Sequence, residues 1–180
     1  MTYYKWLNPG RVSTIQNVKW PKRVNAWTDD ETPVLCTSGW HLATDEGLGE
    51  FAVIGATLWI AEGRGKSVSE LLKVAFTSVR LLSEVGIFTH EIAVHWAADC
   101  AKRVLKHYED RYPSDDRPRR AIEAAMKWSK NPTEANRAAA AAFAASAAAS
   151  HAASAHAVAT HAASKEREWQ SARLIKLIQS

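Results

Sequence analysis

Between Tyr3 and about Gly86, apolar residues come in short runs broken by turn formers; beyond Gly86 they recur at helical spacing. Asn8-Pro9-Gly10 signals a turn, because Pro sets φ for the first central position and Gly tolerates positive φ. Val34-Leu35-Cys36 reads as a short strand that stops at Thr37-Ser38-Gly39. Phe51 to Ile60 is a second β-branched and aromatic stretch, interrupted by Gly55. Lys73 to Leu81 alternates as a half-buried strand does, with Val74, Phe76 and Ser78 on one face and Ala75, Thr77 and Val79 on the other. Glu62-Gly63-Arg64-Gly65 is expected to form a turn between strands.

Past Gly86 the spacing predicts only helices. Thr89 is placed to cap one that runs to about Tyr108, with an apolar face of Ile92, Trp96, Cys100, Val104 and Leu105. After the linker Tyr112 to Asp116, Asp115 or Asp116 can cap a second helix, roughly Arg117 to Lys130, with Pro118 in its first turn. Ile122, Ala125, Met126 and Trp128 are its candidate core. Asn131-Pro132 closes it, and Thr133 with Glu134 opens another. After Pro132 there is neither Gly nor Pro, and Ala dominates. One straight helix of that length would reach roughly 70 Å, so a bend is expected near Ser150 to Ser154; one helix or two stays open. The tail, with Trp169, Leu174, Ile175 and Ile178, is expected to dock on the other helices. The expected fold is α+β, a small twisted β-rich part (1–86) packed on an Ala-rich helical bundle (87–180).

Composition sharpens this. Hydrophobic residues make up 47%, but Ala supplies much of that and buries little area, so the eight Trp carry a large share of the apolar burial. Trp6, Trp20, Trp27, Trp40 and Trp59 lie in the first half; Trp96, Trp128 and Trp169 are spread over the helices. A net charge of +4 with pI near 9.1 is compatible with an acidic partner without demanding one, and nucleic acid is not expected. Cys36 and Cys100 stand in segments of unlike type, which makes reduced thiols the expectation. The segment Met-Thr-Tyr-Tyr-Lys-Trp has no apolar signal core, and no apolar run approaches the ~20 residues of a bilayer span. A cytoplasmic protein without membrane association is expected.

No complete catalytic motif is present. His151, His156 and His161 step five residues at a time, which turns successive side chains by roughly 140° on a helix; no metal ligand and no cofactor are expected. His95 and Asp99, four apart, share a helical face as a stabilising pair. Cys36 and His41, in Leu35-Cys36-Thr37-Ser38-Gly39-Trp40-His41-Leu42, can supply a nucleophile and a base. Alternatively Cys36 is core and His41 satisfies a backbone group, and whether the two meet stays open. Asp115-Asp116-Arg117-Pro118-Arg119-Arg120 puts guanidinium forks beside a helix N-terminus, where anions are favoured. Internal pairing accounts for it as well: an Asp116 cap, an Arg119–Glu123 pair, or links to Asp99 or Glu109. The candidate ligand- or partner-binding residues are Trp20, His41, Arg64, Asp116, Arg117, Arg119 and Arg120.

Two stretches resemble known families. Trp96-Ala97-Ala98-Asp99-Cys100-Ala101-Lys102-Arg103-Val104-Leu105, then Asp116-Arg117-Pro118-Arg119-Arg120-Ala121-Ile122-Glu123-Ala124, and the Ala-rich helices with His161, resemble immunity proteins of bacterial polymorphic toxin systems. Lys19-Trp20-Pro21, Leu35-Cys36 with Gly39-Trp40-His41, Leu58 to Gly65, and Lys73-Val74 leading to Val79-Arg80-Leu81-Leu82 are similar to an uncharacterised domain of actinobacterial and phage proteins. The first resemblance implies a non-enzymatic inhibitor that occludes a bacterial toxin or defence protein, with an immunity-like or phage-encoded, anti-defence role. Exposed Trp and Arg, with Trp20, Arg117 and Arg120 foremost, are the expected contacts. Two alternatives stay open: a sponge for an anionic nucleotide signal, held by Arg117, Arg119 and Arg120, and a transferase or hydrolase built on His41, Glu62 and Arg64.

Overall fold

The computed structural model describes residues 2–137 and 161–180. Mixed α and β structure is observed, with a five-stranded antiparallel sheet preceding the helices. The strands are β1 (Tyr3–Asn8), β2 (Val12–Ser13), β3 (Trp40–Ala43), β4 (Thr57–Ser69) and β5 (Lys73–Ile87). The Asn8-Pro9-Gly10 turn forms, with Gly10 at φ 79°, and returns the chain as β2 beside β1. β1 also pairs with β3 through Tyr4 and Ala43, β3 with β5, β5 with β4, and β4 returns to β1 from Tyr3↔Ala61 to Leu7↔Thr57. The ladder therefore closes on β1, which removes the open edges that an ordinary sheet must protect.

Leu7, Trp20, Leu42, Trp59, Ala61, Val74, Phe76, Val79 and Leu81 form the core, with Tyr3 and Trp40 packed against it. The core takes Val74 and Phe76 from the first half of β5 but Val79 and Leu81 from the second, so strict alternation does not run through the strand. Along that second half an irregular strap replaces a strand. The N–H groups of Asn25, Thr28 and Glu31 donate to the carbonyls of Leu81, Val79 and Thr77 at 2.8–2.9 Å. The buried Ser78 hydroxyl donates to the Thr28 carbonyl at 2.8 Å, so this polar group inside the sheet is satisfied.

Two local expectations are overturned. Glu62 to Gly65 is not a turn but the middle of β4, with Gly63 opposite Val79 and Arg64 opposite Ser78. The glycines serve packing and a bulge: a Cβ on Gly63 would lie 2.2 Å from the Phe76 ring, and Gly65, at φ 79°, falls in the register shift between Arg64 and Ser67. The β4–β5 turn comes later, where Glu70 N–H bonds the Lys73 carbonyl at 2.9 Å. Val34 to Cys36 makes only a single bridge, Val34 to Ser38, around a turn with Cys36 at φ 64°.

The helices are α1 (His90–Arg111), α2 (Arg117–Lys130) and α3 (His161–Ile178). At the start of α2, Asp115 Oδ1 accepts the Arg117 N–H at 3.1 Å, whereas Asp116 occupies the cap position without a side-chain cap bond. Pro118 and Trp128 are buried, and Trp128 stacks edge-on against His90 with centroids 5.3 Å apart. Val104, expected on the apolar face of α1, is 49% exposed; Ala98 is the buried residue of that helix. After α2, Thr133 Oγ1 accepts the Asn136 N–H at 3.3 Å and opens a helical turn at 134–137. The expected bend near Ser150, together with His151 and His156, falls outside the described residues.

Contacts divide the chain into two compact units, Met1–Thr89 with Ala163–Ser180, and His90–Ala162. The boundary at 86/87 drawn from the sequence follows element type, whereas these units follow contacts. Within this division α3 groups with the sheet unit. Leu174 and Leu177 are buried, Ser164 Oγ donates to Glu46 at 2.9 Å, and Arg167 pairs with the same carboxylate at 3.0 Å. A Cβ on Gly86 would lie 2.7 Å from Ile178, so the strand admits the helix only as glycine. No described helix is long and apolar enough to cross a membrane.

Replacing Gly63 by Ala pushes a methyl into the buried Phe76 ring and is expected to lower stability by about 1–3 kcal/mol, read as a lower urea midpoint at unchanged m-value.

Candidate functional site

A cleft of about 180 Å³ opens in the sheet unit, lined by groups from β1, β3, β5 and the turn before β3. Alternation along β1 turns Tyr4 and Trp6 away from the core cluster, and on the core side, between Tyr3 and Leu7, stands the half-buried Lys5. Its ammonium donates to the His41 carbonyl at 3.0 Å and lies 5.1 Å from the Trp20 ring. Burial pushes Lys5 down to about 8. Tyr4, on the same strand, is pushed up to about 12 by burial first and then by the charge and hydrogen bond of Asp45.

Cys36 and His41 do meet. The Cys36 N–H donates to His41 Nε2 at 3.1 Å, which makes the imidazole an acceptor and places its own proton on Nδ1. Nδ1 is buried with no hydrogen-bond partner. Burial first, then the charge of Lys5, hold His41 below its ordinary 6.5, opposed only in part by backbone groups at Gly39 and Val34. Because the Nε2 lone pair is taken by a backbone N–H, His41 is a structural acceptor and not a base for the thiol. The thiol's partner comes from β5, where Lys73 Nζ donates to Cys36 Sγ at 2.8 Å. That contact first, and Glu70 at 3.7 Å as well, hold Lys73 above its ordinary value, so it remains an ammonium. Lys5 and Lys73 are missed by sequence reasoning, because neither lies near Cys36 or His41 in the chain.

The other candidates are dispersed. Trp20, expected at an exposed surface, is 4% exposed and packs edge-on against Trp40 at 5.3 Å, so it is a core residue. Arg64 is exposed over the Trp27 ring at 4.3 Å, with Arg80 on that ring at 4.7 Å and bonded to Glu62 at 2.5 Å. Glu62 and Arg64 therefore join Trp27, and neither lines the cleft around His41.

In the helical unit each arginine of the basic cluster has a carboxylate. Arg117 binds Asp115 through Nε and a terminal nitrogen at 2.8 and 2.6 Å, and Tyr108 donates to the same carboxylate at 2.8 Å. These bonds hold Asp115 well below the usual carboxylate range. Arg119 ties α2 to α1 through Glu109 at 2.7 Å, in place of an Arg119–Glu123 pair, and Arg120 pairs with Asp116 at 2.9 Å. His95 and Asp99 approach to 3.7 Å on α1 as expected. A groove of about 420 Å³ along α1 and α2 is rimmed by Lys102, Arg119, Lys127 and Lys130 with one acid, Glu123, over Leu105, Ile122 and Met126. Among the described residues no group of His, Cys, Asp and Glu is arranged to hold a metal ion.

Residues 84–166, a little under half of the chain, match a family described as Imm-5 like putative immunity protein. No curated protein and no solved structure matches the chain. The match covers α1 and α2 with the groove between them and excludes Cys36, His41 and Lys73.

Since the folded state favours neutral His41, its contribution to stability is full above about 6.5, the unfolded value, and is lost as pH falls through the lower folded value. His41→Gln, which keeps an acceptor but cannot titrate, is expected to flatten the decline. The gap in urea midpoint between wild type and variant should narrow between pH 8 and pH 5.

Proposed function

We propose that the chain is an immunity-like, non-enzymatic binding protein of the cytoplasm that occludes a bacterial protein toxin or defence component. The observation that carries this reading is the match of residues 84–166 to the immunity-protein family. The geometry supports the same region as the contact surface. The α1–α2 groove offers apolar floor residues under a basic rim, suited to an acidic partner segment with apolar side chains. Arg117 and Arg120 with Asp116 extend the rim at the start of α2, and Arg119 holds the two helices in register through Glu109. Within this reading Arg64 and His41 belong to the sheet unit and are not assigned to the contact surface.

A nucleotide sponge finds less support. Arg117, Arg119 and Arg120 would have to give up carboxylate partners to bind phosphate, at the cost of links that shape the α1–α2 pair.

Pull-down of the tagged chain from host lysate, with mass spectrometry of proteins and of heat-released small molecules, should return one stoichiometric protein, and co-expression should protect cells from it. A released nucleotide without a protein partner would overturn the proposal. With the partner in hand, Lys127→Glu combined with Lys130→Glu is expected to slow association by about tenfold at low salt, with the difference shrinking as salt rises. Stopped-flow or biolayer measurement at two salt concentrations checks it.

A further inference from the structure

The cleft of the sheet unit holds chemistry that an occluding protein does not need. Cys36 is exposed at the cleft mouth, on a backbone with φ 64° that side-chain-bearing residues seldom adopt. Its orientation is set from two sides, by the imidazole on its N–H and by the Lys73 ammonium on its sulfur at 2.8 Å. Lys5 borders the cleft as well, but its ammonium lies on the core side of the sheet, against the Trp20 ring and the His41 carbonyl. Leu42 and Phe51 supply apolar wall. A nucleophilic sulfur, the Lys73 ammonium beside it and an apolar cleft with an open mouth define the ligand chemically: small, soft, electrophilic and anionic.

We infer that Cys36 is a covalent modification site for small carbon electrophiles that carry a carboxylate, with Lys73 holding the carboxylate while Sγ attacks. The thiol proton passes to solvent; Sγ forms a bond to the electrophilic carbon, and the leaving group departs with the electron pair of the bond that breaks. With iodoacetate the new bond is S–C, the broken bond is C–I and the product is iodide.

Iodoacetate and iodoacetamide are near-isosteric and differ in charge, so they separate charge recognition from mere exposure. The full-length protein is alkylated with each, in buffer and in urea, and the rates at Cys36 and Cys100 are followed by peptide mapping. For native Cys36 the iodoacetate-to-iodoacetamide rate ratio should exceed its value in urea by about fivefold or more, the factor that one unit charge a few ångströms away gives in water. Lys73→Gln should return the ratio toward the urea value, Lys73→Arg should keep it raised, and the ratio at Cys100 should not respond to either. Equal ratios in buffer and urea, or a raised ratio that survives Lys73→Gln in a folded variant, would overturn the inference. If Lys73→Gln fails to fold, the wild-type ratio decides: it must fall toward the urea value as sodium chloride is raised to about 1 M, and a salt-independent ratio counts against the site.

Discussion

Tyr4 has a strand partner on each side, Ala43 in β3 and Ile60 in β4, and through that residue the antiparallel ladder closes on itself. Closure is the constraint on which the sheet unit depends. With β1 paired on both edges, the inward side chains of short strands share a single core, so Leu7, Leu42, Trp59 and Phe76 reach one another from distant parts of the chain. The same closure dictates where glycine is required. β4 and β5 are long and must curve, and the curve brings the Phe76 ring over Gly63 and places a bulge at Gly65.

The cleft follows from that closure and from β1's alternation. Tyr3 and Leu7 turn inward, and Lys5, between them, reaches the carbonyl of His41 on β3. β5 runs beside β3 in a register that sets Lys73 opposite Ala43, which carries its ammonium to the turn holding Cys36. Both lysines sit in a setting that alters them, though in opposite directions: burial depresses Lys5, while the contact with sulfur raises Lys73. The imidazole is spent on the backbone of Cys36, so the chemistry that remains belongs to the thiol and the ammonium groups.

The helical unit is organised by different physics. Its arginines are neutralised where they stand, by Asp115, Glu109 and Asp116, and this pairing shapes the α1–α2 corner. What stays positive is the groove rim, where Lys102, Lys127 and Lys130 outnumber Glu123. A binding function fits a surface of this kind, in which exposed lysines steer a partner and an apolar floor holds it.

Local information in the sequence determined a good deal. The Asn8-Pro9-Gly10 turn, the strand at Lys73, the change to helix after Gly86, the capping role of Asp115 and the pairing of His95 with Asp99 follow from residue conformations and short spacings, which act within a few residues. The similarity of residues 84–166 to the immunity-protein family was likewise legible in the motifs Trp96 to Leu105 and Asp116 to Ala124. The tertiary structure alone decided whatever depends on long-range packing. The glycines at 63 and 65 read as a turn because Gly permits one; the Phe76 ring, which makes Gly63 necessary within a strand, is thirteen residues away in the chain and invisible to local pattern. Trp20 read as exposed beside Lys19 and Lys22, yet strand closure draws it into the core. The tail carried an apolar stripe but no address, and Glu46 with Gly86 supplied it. Lys5 and Lys73 became partners of His41 and Cys36 for the same reason, since strand register can join residues that the chain keeps more than thirty positions apart.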